Sequence, residues 1–268
     1  MPLSELIRYF NVADTAGDST LYPSDGQVAA WHQGWHLASL FAPVVDLRRE
    51  RIVGHRASLM VRAADGSPAA AAAVYAGCPT PEAVVHLDRL CRTLHALNFL
   101  GQRQQVGGYL QVAVHPRHLQ AVPNQHGLVY EAILKRCGLA PQDIVLQIEA
   151  GAVVGEPLRQ ALAAYRQRGY RLALSGPLLS ADELAALAPD IVLAAPESPA
   201  ASLVAAREAG ALIERGDVND GRQYQAARQA GCDLGSGSLF GEPSTCCRPT
   251  HAERHLAYNS PLHNGATP

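Results

Sequence analysis

The sequence predicts an α/β fold, a TIM-like (β/α)8 barrel preceded by a short N-terminal extension. Three observations carry the prediction. From residue 39 onward, short apolar runs suited to buried strands alternate with segments of helical periodicity, the pattern of parallel strands joined by crossover helices. The chain has 268 residues, against the about 250 that such a barrel needs. Its hydrophobic content of 48%, with no long polar run, requires a single large interior.

Residues 1–38 form the extension. SELIRYF is expected as a short helix with Ser4 at its N-cap, and DTAGDSTLYPSDG reads as irregular because it is rich in turn formers. Trp31 and Trp35 lie four apart in AAWHQGWH; on a helix they form one aromatic stripe, packed on the barrel or exposed as an anchor for a partner. The barrel is expected over residues 39–243. FAPVVDL (41–47) and IVGHRASLMV (52–61) read as strands paired about the charged turn RRER. HLDRLCRTLHALNFL (86–100) has apolar residues at helical spacing, and YLQVAVH (109–115) alternates as a strand does. There follow helix 127–137, strand 143–149, helix 156–167, strand 170–176, helix 181–187 and strand 190–195. Helix 200–209, strand 211–216, helix 220–230 and a short strand near 232–234 complete the series. Residues 244–268, rich in His, Pro, Asn and Gly, are expected as a flexible tail.

The formal net charge is -2 and the sequence pI about 6.6, so no global field draws the chain to nucleic acid or to an anionic membrane. Arg48, Arg49 and Arg51 are expected as a solvated turn, and no DNA-reading motif is present. The six cysteines show no paired spacing, and the opening MPLSELIRYF lacks a charged-then-apolar leader. Free thiols in a reducing cytoplasm are therefore expected. No apolar run approaches the ~20 residues of a membrane span.

Two segments carry a family resemblance: VGHRASLMVRAADGS at residues 53–67 and GCDLGSGSLFGEP at residues 231–243. They resemble the two ends of an EAL domain, a barrel that hydrolyses cyclic di-GMP, and the likeness extends over about residues 39–243. It implies an EAL-type barrel. It also implies carboxylates, an asparagine and a lysine at the strand ends, holding two divalent metals that activate water. This chain departs from that set. Arg56 falls on the signature glutamate, Ser58 on its leucine, and Met60 on an arginine that grips phosphate. Ala42 replaces a glutamine and Ala113 the metal-binding asparagine, while Asp88, Arg89, Pro116 and Leu119 are kept. Gln147 and Ala150 stand for carboxylates, and Glu149 for a threonine. Ser175 and Gly176 replace paired aspartates ahead of a shortened loop that the resemblance links to dimerisation, which favours a monomer. Leu193 takes the lysine position, Ala195 an aspartate, Gly216 and Asn219 two glutamates, Ser236 a glutamine and Glu242 an arginine. Gly231, Cys232, Asp233, Gly237, Phe240 and Pro243 fit the family.

With the metal positions changed, the resemblance implies no catalytic residue, no metal ligand and no cofactor, and hence no phosphodiesterase activity. The expected function is that of a non-enzymatic regulator acting through protein–protein contact. Its partner would be a transcription factor or a signalling adaptor, as for stand-alone degenerate family members that repress motility or virulence genes. The alternative is a cyclic di-GMP receptor without hydrolysis. In that reading Arg56 pairs with a phosphate, and Asp88 and Phe240 meet a guanine edge and face. Met60, Ala42 and Glu242 remove contacts such a receptor needs. Each candidate also has a plainer role: Asp88 orients its helix and Phe240 fills the barrel end.

Two further clusters have simple readings. Cys246, Cys247, His251 and His255 are metal-ligand types, but CC is not CxxC and Pro249 interrupts the run, so an unstructured tail is expected. His115, near the barrel mouth, has no evident nucleophile or carboxylate partner and is expected to be structural.

Overall fold

The computed structural model describes residues 2–13, 19–103, 106–122, 126–149, 151, 155–176 and 180–248. It opens with helix α1 (Leu3–Ala13), whose first turn is closed by bonds from the Glu5 and Leu6 amides to the Pro2 carbonyl. Ser4 therefore lies inside the first turn and is not the N-cap. Next come β1 (Ser19–Ser24), β2 (Gln27–His32) and β3 (Trp35–Asp46), joined antiparallel. Two-residue turns at Asp25–Gly26 and Gln33–Gly34 connect them, with φ of 48° and 77° in the first and 45° and 89° in the second. Two successive left-handed residues match the twist of a tight hairpin, and glycine accepts that conformation without strain. The irregular stretch and the helical tryptophan stripe are thus corrected. Leu21 belongs to a strand, Trp31 pairs with His36 across the second hairpin, and Trp35 packs on the main core. Residue 39 lies inside β3, so the N-terminal hairpin continues the barrel's own sheet.

β4 (Arg51–Ala63) pairs antiparallel with β3 along its length, and β5 (Pro68–Ala69) adds a short edge to it. Then follow β6 (Tyr109–Ala113), β7 (Ile144–Glu149), β8 (Arg171–Ser175), β9 (Ile191–Ala194), β10 (Leu212–Arg215) and β11 (Leu234–Ser236). β4 pairs parallel with β6, the pairings from β6 through β11 are parallel, and β11 pairs antiparallel with β3 to close an eight-stranded barrel. The helices are α2 (Ala71–Ala76), α3 (Pro81–Gln102), α4 (Pro116–Ala121), α5 (Leu128–Cys137), α6 (Glu156–Gln167), α7 (Ala181–Leu187), α8 (Ala200–Glu208) and α9 (Gly221–Gln229). Several start where side chains satisfy exposed amides. Thr80 accepts from the Ala83 amide, Asp220 from the Gln223 amide, and Ser180 and Glu183 form a reciprocal capping box. Among the described residues no helix is long and apolar enough to cross a membrane.

Alternation along the strands divides the core. Outward side chains such as Leu110, Leu146 and Leu172 pack beneath the helices, while Val44, Tyr109, Val145, Ala173, Ile191 and Leu234 fill the barrel interior. Packing also continues beyond Pro243, which corrects the start of the expected tail. Ser244 exchanges backbone bonds with Phe41, and Thr245 accepts from Gln27 Nε2 at 2.7 Å. The Cys247 amide donates to Gln102 Oε1 at 2.7 Å and the Arg248 amide to His55 Nε2 at 3.1 Å. His55 is fully buried, and burial pulls its pKa down to about 4, so it is a neutral acceptor at neutral pH. Pro249, His251 and His255 lie outside the described residues.

Gly54 marks how tightly the interior is filled: a Cβ there would sit 2.6 Å from the Tyr109 ring. Gly54→Ala is expected to lower stability by about 1–3 kcal/mol through overpacking, measured as a reduced urea midpoint with an unchanged slope.

Candidate functional site

The C-terminal ends of the parallel strands converge on one mouth, the position from which barrels present functional groups. β4 brings Arg56 beside Gln111 of β6 and opposite Ala42 of β3. The Arg56 Nη2 donates to Glu214 Oε1 of β10, so one ion pair crosses the barrel interior. The Glu214 side chain is fully buried and that of Arg56 is 26% exposed. Beside this pair, Gln111 Nε2 donates to Gln147 Oε1 at 3.2 Å, and Gln147 Nε2 reaches Ser175 Oγ at 3.5 Å. Amides and a hydroxyl thus link β6, β7 and β8. Arg56 Nε, Glu214 Oε2, Gln111 Oε1 and the Tyr109 hydroxyl are buried without a partner among the described residues. The Tyr109 phenol is pushed upward in pKa, first by burial and then by the Glu214 charge, and the Arg171 guanidinium lies 4.6 Å from its ring centre.

Glu214 escaped the sequence reading because the resemblance aligned Gly216 and Asn219 with the family's glutamates. The available signal was alternation. Ile213 packs outward under the helices, so its neighbour in a buried strand must face the interior. Asn219 instead ties a loop together, its Oδ1 accepting from the Ser238 amide and hydroxyl at 3.0 Å each. Leu193 packs with the apolar interior. Glu149 and Glu242 are exposed. Ala150, and residues 177–179 of the shortened loop, lie outside the described residues.

Asp88 sits elsewhere, on α3, and is 1% exposed. Its carboxylate accepts from Arg92 Nη2 at 2.6 Å and from the His115 amide at 2.9 Å, with His118 Nδ1 at 3.0 Å. Burial works against its charge, but Arg92, His118 and the His115 amide outweigh that penalty and hold the pKa at about 2. His115 caps α4, its Nδ1 accepting from the Arg117 amide, and its ring stacks on Tyr75 with centres 4.1 Å apart. Phe240 is 3% exposed, packed among Val45, Leu47 and Tyr224. Of the three side chains expected to meet a nucleotide, Arg56 alone stands at the mouth. Asp88 ties α3 to α4, and Phe240 fills the core.

The architecture and the strand-end positions match a known domain over most of the chain: residues 28–243 match the EAL domain family. The chain belongs to the EAL domain family. No curated protein matches the chain. Among solved structures, the Bacillus subtilis YkuI protein, an EAL-domain protein in complex with cyclic di-GMP and calcium, has a TM-score of 0.69 at 19% identity. That match covers 83% of this chain and 60% of that one. A standalone versatile EAL protein from Vibrio cholerae O395, in its cyclic di-GMP bound form, gives 0.64 at 16% identity, covering 81% of this chain and 96% of that one. The EAL enzyme Bd1971, bound to cAMP and cyclic di-GMP, gives 0.66 at 13% identity. This chain is matched over 90% of its length and spans 66% of the Bd1971 chain. At these identities the likeness is one of fold.

Two stability measurements probe the EAL domain's charged interior. Glu214→Gln leaves the Arg56 cation without its counter-charge and is expected to cost about 3–5 kcal/mol in chemical denaturation, whereas Arg56→Met combined with Glu214→Leu recovers most of that loss. Asp88 has a folded pKa below its unfolded value, so its contribution is present above the unfolded pKa and is lost as pH falls toward about 2. Wild-type stability should therefore fall through pH about 4 to 2, while Asp88→Asn is less stable at neutral pH and flatter across that window.

Proposed function

We propose that this EAL domain does not hydrolyse cyclic di-GMP and instead regulates through contact with another protein in the cytoplasm, a transcription factor or signalling adaptor of motility or virulence control. The observation that carries the reading is the Arg56–Glu214 ion pair across the barrel. Hard divalent cations need several oxygen donors bearing net negative charge, and a metal-activated water needs the cation. Here the mouth offers a guanidinium, two carboxamides and a hydroxyl, and its buried carboxylate is already held by Arg56. Among the described residues, no three His, Cys, Asp or Glu side chains stand together in a way that would hold a metal ion. The donors present do not fit a pair of divalent cations.

The receptor alternative has less support. Cyclic di-GMP is bound in the EAL structures named above, but the residues expected to receive it here are committed elsewhere. Arg56 is neutralised by Glu214, Asp88 has its carboxylate occupied on both oxygens, and Phe240 is sealed in the core. A fold supports many functions, and the groups at its strand ends decide between them.

The test is hydrolysis of cyclic di-GMP with magnesium and with manganese, together with calorimetric titration of the nucleotide. Neither turnover nor binding heat is expected. Micromolar binding without turnover would make the protein a receptor, and metal-dependent turnover would overturn the reading altogether.

A further inference from the structure

A cavity of about 480 Å³ opens between α1, β1, α3 and α5. Its walls are apolar, with Phe10, Leu90 and Ile133 among them, and its charged side chains are basic: Arg89 and Arg136, joined by His86. No aspartate or glutamate lines it among the described residues. The Arg89 guanidinium has no hydrogen-bond or ion-pair partner among them. Its sequence neighbour Asp88 is already engaged by Arg92 and His118. Arg89 is half-buried, and burial, followed by the charge of Arg92, pulls its pKa down from the ordinary guanidinium value, only partly offset by Asp88 and Tyr165. A desolvated cation facing an apolar groove is an unfavourable arrangement that a carboxylate relieves. At the rim, Arg136 stacks over the Tyr9 ring, 4.8 Å from its centre.

The exposed apolar surface extends past the cavity itself. Tyr9 is 40% exposed, Val129 44% and Leu128, which lies outside the cavity lining, 41%. A small molecule within the cavity would leave Leu128 bare, whereas a peptide segment laid between α1 and α5 would cover all three. Tyr and Arg are also the residue types that dominate protein-binding energies.

We propose that the groove between α1, α3 and α5 docks an amphipathic segment of a partner protein, whose apolar side chains enter the cavity and whose carboxylate pairs with Arg89 and Arg136. This deepens the contact-regulator reading and rests on it. The mode is that of a helix in a groove, with apolar anchors on one face and an acidic residue at the edge.

The full-length protein carrying a photo-crosslinking amino acid at Val129 tests the proposal in its host cells. Control positions are Val204 on α8, 50% exposed, and Glu149 at the barrel mouth. Crosslinked peptides are mapped by mass spectrometry, and a synthetic copy of the mapped segment is titrated against wild type, Arg89→Gln and Arg136→Gln. The expected result is a crosslink at Val129 to a segment with helically spaced apolar residues and a carboxylate. The synthetic copy should lose roughly tenfold or more in affinity in the Arg89→Gln variant, or when its acidic residue becomes an amide. Arg136 is exposed, so Arg136→Gln should weaken binding in a protein whose melting is unchanged. A segment without carboxylates, an affinity indifferent to both arginines, or a crosslink to lipid overturns the groove assignment. Crosslinks confined to Glu149 or Val204 also overturn it while leaving a protein-contact regulator standing. Crosslinks at none of the three positions, with no partner recovered, remove both.

Discussion

The double-sided pairing of β3 is the constraint on which the rest of the molecule depends. Along one edge it holds β4 over twelve residue pairs, and along the other it receives first β2 and then β11. Running against all the other barrel strands, it closes the ring. Closure sets the stagger of every strand, and the stagger decides which side chains meet inside. It brings β4 and β10, two strands removed from direct pairing, to face one another across the interior, so that Arg56 reaches Glu214. The same strand anchors the N-terminal hairpin and, through Phe41, the chain after Pro243.

An ion pair inside a barrel differs from one on a surface. Each charge has given up water, and the attraction between them restores part of that cost only while both remain. The pair is thus weak evidence of stability but strong evidence of commitment: a guanidinium neutralised inside the protein is poorly placed to recruit phosphate, and its partner carboxylate is poorly placed to recruit a cation. The neighbouring amides of Gln111 and Gln147 interact mainly with each other. The mouth is a filled polar layer above an apolar floor, in which Arg56 Nε, Glu214 Oε2 and Gln111 Oε1 have no partner among the described residues. Groups at barrel strand ends are free to vary because the fold is held by backbone ladders and outward-facing apolar residues.

The outer surface tells a different story. On α3 the Asp88 carboxylate takes Arg92, His118 and the His115 amide together, while Arg92 Nε and Nη1 are buried without a partner among the described residues. One residue further along the same helix, Arg89 has no such partner among the described residues. Asp88 ties α3 to α4, while Arg89 lines the groove between α1, α3 and α5.

The sequence by itself determined the alternation of strands and helices from residue 39 onward, the barrel class, and Arg56, Gln147 and Ser175 at the mouth, but neither Glu214 nor Gln111. Those features are written in local periodicity, in caps such as Thr80 and Ser180, and in short motifs such as GCDLGSGSLFGEP. Helices 156–167 and 181–187 follow directly from spacing, since one amphipathic face repeats at a fixed period. The two N-terminal hairpins were hidden because residues four apart fit a helix as readily as a hairpin, and only pairing with β3 decides between them. Tertiary structure alone decided the partners: Arg56 with Glu214, 158 positions away, and Asp88 with the His115 amide, 27 away. Such contacts leave no local trace, because they arise from barrel closure and from the docking of helices on its wall, which no stretch of neighbouring residues encodes.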